Sequence, residues 1–145
     1  MSRRLAREVA LQALFQLDLN PGEGEEQREM YETLALDTAL GEHETLGEKD
    51  RAYAQAVVLG TRRELAKIDR LVSAVSREWK IERMAAVDRN IVRMAAFEAR
   101  YSQEKIPPKV IINEAVELAK KYGSDDSGRF VNGILRTVVM PQKKA

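Results

Sequence analysis

The sequence predicts an all-α fold of about seven helices, and three observations support this prediction. All four prolines, at positions 21, 107, 108 and 141, lie where a helix should begin or end. Apolar residues recur at three- and four-residue steps along most of the chain, which is the period of an amphipathic helix. No segment combines β-type alternation with turn residues. With 145 residues, of which 44% are hydrophobic, the chain has the size and the apolar content of one domain with a real core.

Local start and stop signals place the helices in order. The tripeptide 20–22, Asn-Pro-Gly, ends the first helix, and Pro108 provides the favoured first residue of a later one. Gly123 is a helix stop, and Ser124 is a candidate cap for the last helix, with two acids in its first turn. A short turn around residues 79–81 separates the two halves of the pattern. The expected helices cover about 2–19, 25–40, 47–75 with a break near Gly60 or Lys67, 84–102, 108–122 and 125–139.

Composition excludes several classes of chemistry. Cysteine is absent, so disulfides, zinc–thiolate sites, iron–sulfur clusters and thiol catalysis are ruled out. His43 is the only histidine and lies in an acidic connection, where a solvated loop residue is the simplest interpretation. Neither glycine-rich phosphate motif occurs. We therefore expect no catalytic residue, no metal and no cofactor, although catalysis by carboxylates stays open. With no apolar run of membrane-spanning length and no signal peptide, a cytoplasmic protein is expected.

Charge is balanced overall but unevenly distributed. The chain has 24 basic and 23 acidic residues. Residues 21–50 contain ten acids and two bases, whereas residues 51–145 contain nineteen bases and eleven acids. The acidic segment is either a solvated face or a wall that repels nucleic acid and leaves the basic surfaces as the binding side.

The first helix combines arginines with an aromatic ring. At 100° per residue, Arg3, Arg4 and Arg7 share one arc of about 100°, and Phe15 lies near the azimuth of Arg4. Guanidinium groups bind phosphates and a ring stacks on an unpaired base, so this edge suits single-stranded RNA. The alternative is a solvated helix end. The core side of this helix is expected to contain Leu5, Val9, Ala13 and Leu17.

The last helix offers a similar edge. Phe130 lies at the border of its apolar arc, with Asp126 one turn earlier on the polar side. A carboxylate accepts hydrogen bonds from a base while the ring stacks, although an ordinary core Phe is the alternative. Gly133 costs helix stability, and close packing against another helix is the simplest reason for it.

The fifth element carries a stripe of arginines. Arg89, Arg93 and Arg100 lie within about 40° of each other, opposite the apolar residues. A solvated stripe is the simplest interpretation, and a face that contacts phosphate or docks a protein is the alternative. Glu98 falls inside the apolar arc, where a buried carboxylate would need donors such as the free amides that begin the sixth helix.

Three segments resemble one bacterial family, the transcription antitermination factors NusB. The segments are RRLAREVALQALF at 3–15, PKVIINEAVELAK at 108–120 and YGSDDSGRFVNGIL at 122–135. The resemblance implies two packed helical bundles that form one RNA-binding domain over residues 1–140, followed by a frayed basic tail at 141–145.

The resemblance also implies partners and site residues. The expected partners are boxA-containing leader RNA, the small-subunit ribosomal protein NusE, and RNA polymerase with other Nus factors, notably in ribosomal RNA operons. Asp88 matches an acidic position in the NusE-binding region, and Leu5 departs from the pattern because some members have a further arginine there. The RNA-binding positions implied are Arg3, Arg4, Arg7, Phe15, Asp126, Arg129 and Phe130.

Two other functions stay open at this stage. One is the RNA-binding module of a ribosomal RNA methyltransferase, which would need a further catalytic domain with a nucleophilic cysteine. The other is a structural helical homodimer whose contact surface masks the basic residues.

Overall fold

The computed structural model describes residues 2–75 and 80–139, and this part of the chain forms seven α-helices and one short 3₁₀ helix. The all-α prediction is confirmed. Trp79, in the predicted turn, and the predicted tail at 141–145 lie outside the described residues. The helices are α1 Ser2–Leu19, α2 Gly24–Gly41, α3 Glu48–Arg63, α4 Leu65–Val75, the 3₁₀ helix Ile81–Arg83, α5 Ala86–Arg100, α6 Pro108–Tyr122 and α7 Ser127–Val138.

The chain divides into two compact units between Leu59 and Gly60, inside α3. In the first unit α1 packs on α2, and α3 adds the buried side chains Tyr53 and Val57. The predicted inward face of α1 is correct for Val9, Ala13 and Leu17, which are buried, whereas Leu5 is only half-buried.

In the second unit α5 packs on α4, α6 and α7, and α7 also packs on α4 and α6. Each helix contributes a stripe of fully buried aliphatic side chains, because its apolar residues recur at helical spacing. Helix α7 contacts α4, α5 and α6, and the side chains that face these three helices are apolar. The most deeply buried side chains are Ile68, Val72, Ile91, Val92, Met94, Val131, Leu135 and Val138.

Two predicted boundaries differ from those of the structure. The break in the long third segment, predicted near Gly60 or Lys67, falls between them at Glu64, and Gly60 lies inside α3 with the Phe97 ring beside it. The last helix begins at Ser127 and not at Asp125. Ser124 does not cap it; the Ser124 N–H donates instead to Oγ of Ser127, at 2.9 Å, in the turn before α7.

None of the described helices is long and apolar enough to cross a membrane. The expectation of one domain over residues 1–140 stays a prediction.

Candidate nucleic-acid interface

The arginines at the start of α1 pack on a tyrosine of α3. The Arg3 guanidinium lies 3.9 Å from the centroid of the Tyr53 ring, and the Arg7 guanidinium lies 5.5 Å from it. Nε of Arg3 also pairs with Oδ1 of Asp50 at 3.5 Å. Stacking on an aromatic face holds a guanidinium in place by cation–π attraction. The positive charge at this end of α1 is therefore fixed in position by α3.

The three arginines differ in exposure. Arg7 is only 5% exposed, Arg3 is half-buried and Arg4 is exposed. A phosphate in solution therefore reaches Arg4 most easily, while Arg7 contributes packing as well as charge. A charge reversal at Arg7 would damage the fold, so Arg4 is the better position at which to test binding.

Phe15 lies farther along α1, in a groove between α1 and α2. The groove has a volume of about 420 Å³, and a second ring, Tyr31 of α2, lines it. Both rings are half-buried, so each presents part of its surface to the groove. Aliphatic side chains and a few amide and hydroxyl groups complete the lining, which contains Leu17, Leu34 and Ala35 together with Gln12, Gln16, Asn20 and Thr38. Rings beside amides suit an unpaired base.

The acidic segment occupies a different groove of the first unit. Glu29, Glu32 and Asp37 of α2 line it together with Gln55 and Leu59 of α3. Carboxylates so placed repel phosphate. Within α2 the acids therefore lie in one groove and Tyr31 in the other, and the interpretation of the acidic segment as a wall stays a prediction.

The residues predicted for RNA contact at the C-terminal end lie together at the start of α7. Nη2 of Arg129 donates to Oδ1 of Asp126 at 2.8 Å, and the two side chains are 88% and 81% exposed. Phe130 is half-buried beside them. An ion pair this exposed is weak, so either partner can be exchanged for a ligand.

The close helix packing predicted at Gly133 is not present among the described residues. A Cβ atom added at Gly133 would meet no heavy atom within 4 Å in the described part of the chain. Gly60 is the contrasting case, since a Cβ there would lie 2.2 Å from Cε1 of Phe97. Close helix packing therefore explains Gly60 and not Gly133.

The arginine stripe of α5 serves the fold. Nη1 of Arg89 donates to the carbonyls of Ile81, Glu82 and Met84, at 3.0 to 3.4 Å. Nη2 of Arg100 donates to the Val138 carbonyl at the end of α7, at 3.1 Å.

Arg93, the middle arginine of the stripe, forms a two-bond ion pair with Asp69. Its Nε and Nη2 atoms each donate to one carboxylate oxygen at 2.9 Å. All three arginines donate to partners in their own unit, but only Arg89 and Arg93 are half-buried, whereas Arg100 is exposed. The solvated-stripe interpretation therefore fails for Arg89 and Arg93 and not for Arg100.

Asp88, the position matched to NusE binding, lies in the first turn of α5 and is only 7% exposed. Its Oδ1 atom has no hydrogen-bond partner among the residues that the structure describes. A carboxylate oxygen shielded from water without a donor destabilises the free protein. The role of Asp88 in partner binding stays a prediction.

Comparison with known proteins decides the family. The NusB family model matches residues 4–140. The transcription antitermination protein NusB of Pelotomaculum thermopropionicum is 48% identical over 142 residues, covering 96% of this chain and 90% of that protein. The protein of the same name from Desulforudis audaxviator is 47% identical over 139 residues, covering 96% and 94%. The chain belongs to the NusB family.

Solved structures agree with this assignment. The structure of T. maritima NusB has a TM-score of 0.79 and 36% identity, with 94% of this chain and 89% of that chain covered. A structure of antitermination factors NusB and NusE in complex with double-stranded RNA has a TM-score of 0.80 and 25% identity, with coverage of 95% and 96%. The resemblance inferred from the three sequence segments is therefore confirmed.

The sequence did not identify Tyr53, Tyr31 or the open surface at Gly133. The apolar period of α3 and α2 includes the two tyrosines, but only the packed helices show that one ring holds arginines and the other lines the same groove as Phe15. Aromatic residues at helix borders in an RNA-binding family are the signal that would have selected them.

Proposed function

We propose that this NusB-family chain binds boxA-type single-stranded leader RNA together with NusE and helps RNA polymerase to read through terminators, notably in ribosomal RNA operons. The observation that supports this most strongly is its similarity, over 95% of the chain, to a NusB solved with NusE and double-stranded RNA. The protein acts as an adaptor in the cytoplasm, where transcription takes place, and performs no chemistry. It brings other Nus factors and the polymerase together through the tethered RNA.

Binding divides between charge and stacking. In the first unit, Arg4 and the Tyr53-supported Arg3 bind phosphates, while Phe15 receives a base in the α1–α2 groove. In the second unit, Asp126 accepts a hydrogen bond from a base, Arg129 binds phosphate, and Phe130 stacks. Buried Arg7 adds positive potential and stiffens the helix end.

This set of contacts explains the need for a partner. Three phosphate contacts on single-stranded RNA give a log–log salt slope of only about −2, so affinity falls roughly 20-fold between 50 and 200 mM salt. A protein with a formal net charge of +1 gains little further from long-range attraction. NusE supplies additional contacts on the same RNA and raises the overall affinity.

Fluorescence anisotropy of labelled RNA tests the proposal. A boxA single strand, a scrambled strand and a boxA duplex are titrated with the protein alone and then with NusE. We expect selective binding to the boxA strand that tightens when NusE is added. Equal binding to the boxA and scrambled strands, unchanged by NusE, would refute the proposal.

A pair of variants tests whether the charge of Arg4 itself, and not only the net charge of the protein, contributes to RNA binding. Arg4→Glu should weaken boxA binding about tenfold, because one phosphate contact is lost and a repulsive charge is added. Arg70→Glu, an equally exposed arginine on α4, makes the same change in net charge and should leave affinity within about twofold. Equal losses in the two variants would mean that only net charge matters.

Asp88 is the proposed contact for NusE. Asp88→Asn removes the shielded charge and keeps the shape, so the folded state should be as stable as the wild type or more stable. NusE affinity, measured by isothermal titration calorimetry, should fall about fivefold while RNA binding by the lone protein is unchanged. Unchanged NusE affinity would exclude Asp88 from that interface.

The homodimer stays a second candidate because the first unit exposes large apolar side chains. Leu19, Met30 and Leu34 are each more than half exposed, and Leu34 lines the groove beside Phe15. Light scattering with and without boxA RNA separates the two functions. A dimer that dissociates on RNA binding would show that self-association masks the RNA surface, and a dimer that ignores RNA would favour the structural function.

A further inference from the structure

Gly133 lies at the centre of the solvent-facing side of α7. At 100° per residue it points almost directly away from the buried residues Val131 and Leu135. It is exposed, and nothing in the described part of the chain approaches the place that a side chain would fill. The helix therefore presents bare backbone to solvent at this point.

The side chains around this gap are of two kinds. Arg129 and Arg136 lie one turn before and one turn after Gly133, on one flank, and both are exposed. Arg136 forms no hydrogen bond or ion pair within the described residues. Phe130 and Thr137 lie on the other flank, where the Phe130 ring is half-buried. The result is a shallow saddle with cations on one side, an aromatic ring on the other and glycine as its floor.

We propose that this saddle, formed by Arg129, Phe130, Gly133 and Arg136, is a docking site for one nucleotide of single-stranded RNA. The two guanidinium groups hold the phosphates that flank the nucleotide, the ribose rests on the helix at Gly133, and the base leans on Phe130. The inference rests on the proposed RNA-binding function and adds Gly133 and Arg136 to its contact surface.

Charge complementarity selects RNA over a protein partner. The saddle has two arginines and no acid of its own. Of the two exposed acids that precede it, Asp125 and Asp126, Asp126 pairs with Arg129 through an exposed contact that a phosphate replaces at little cost. A phosphate accepts two hydrogen bonds from a guanidinium in the same fork geometry as a carboxylate. The rigid α7 backbone, held by three neighbouring helices, keeps both arginines at a fixed spacing.

The stability of the helix supplies an independent argument. Glycine inside a helix is the least favourable residue except proline, and here no neighbour among the described residues requires the absence of a side chain. Glycine is useful where a ligand must come close to the backbone. A variant with a side chain at this position should therefore be more stable and bind RNA less well, which are opposite changes in two measurements.

The test uses Gly133→Ala, Gly133→Gln and Arg136→Ala, with Ala66→Gln on the exposed side of α4 as the control for a surface glutamine. Urea denaturation gives stability, and anisotropy gives boxA affinity in the presence of NusE. We expect both Gly133 variants to unfold at higher urea. Affinity should fall about twofold for Gly133→Ala and about tenfold for Gly133→Gln, and remain unchanged for Ala66→Gln.

Arg136→Ala should lower affinity about fivefold and reduce the log–log salt slope by about 0.7, with no change in stability. Wild-type RNA affinity in a more stable Gly133→Gln variant would overturn the saddle while leaving the proposed function intact. If the wild-type protein itself shows no preference for boxA RNA, the proposed function fails first and the saddle fails with it.

Discussion

Helices α5 and α7 carry arginines at similar spacing, yet the surroundings of the two sets differ. Around α5 the arginine donors already have partners: Arg93 is paired with Asp69, and Arg89 donates to three carbonyls. The Phe97 ring of α5 also fills the space beside Gly60 of α3. On the outer side of α7 no described residue fills the corresponding space, and Arg136 is exposed. Arginine spacing alone therefore does not indicate an RNA surface; what matters is whether a neighbouring helix or turn already uses the donors.

The difference separates stability from binding. Donors that are already satisfied by carbonyls and carboxylates of the same unit are poor ligands for phosphate, because exchanging them leaves partly buried acceptors without a donor. Exposed donors carry no such cost. We therefore assign the α5 arginines to the fold and propose that the α7 arginines bind RNA, and the following variants test this division.

Gly60→Ala should have the largest effect on stability. The added Cβ would lie 2.2 Å from Cε1 of the Phe97 ring, and that ring is buried with little room to move. Overpacking of this kind costs about 3 kcal/mol, which exceeds the gain in helix propensity. Urea denaturation followed by circular dichroism measures the change.

The double variant Gly60→Ala with Phe97→Leu is the control, since a smaller side chain relieves the overlap. It should recover part of the loss relative to the sum of the two single variants. Simple additivity would show that the ring does not limit the space at Gly60.

Arg93→Ala should have the next largest effect. It removes two charge-assisted hydrogen bonds and leaves Asp69, whose side chain is 27% exposed, without its partner. We expect a loss of about 2 kcal/mol, less than for a fully buried pair because water reaches the carboxylate. Its counterpart Arg136→Ala should change stability by less than about 0.5 kcal/mol. Equal stability of the two variants would remove the distinction between α5 and α7.

Arg3→Ala in the first unit is an intermediate case. The guanidinium stacks on Tyr53 and pairs with Asp50, but its side chain is 39% exposed. Cation–π contacts at such sites contribute about 1 kcal/mol. Thermal unfolding should show a loss of that size, accompanied by weaker boxA binding. Loss of stability with unchanged RNA affinity would assign Arg3 to the fold alone.

Much of this architecture was predictable from local pattern. Apolar spacing, prolines and glycines gave the helices, because a helix is specified by residues close in sequence. The family resemblance gave the partners. The sequence could not distinguish packed Gly60 from open Gly133, or paired Arg93 from exposed Arg136, because each distinction depends on which residue of a distant segment lies opposite. Tyr53 was missed for the same reason.

Asp126→Asn should have the smallest effect on stability, and it is the exposed counterpart of Asp69→Asn in the comparison of α7 with α5. The carboxylate is 2.8 Å from Arg129, about as close as Asp69 is to Arg93, but both partners are exposed. Distance alone would predict equal contributions, whereas solvent screening predicts less than about 0.5 kcal/mol at Asp126 against about 2 kcal/mol for Asp69→Asn. Urea denaturation of the two variants side by side makes the comparison. If Asp126→Asn proved as costly as Asp69→Asn, the start of α7 would be a structural element, and its carboxylate and arginine would no longer be available to RNA.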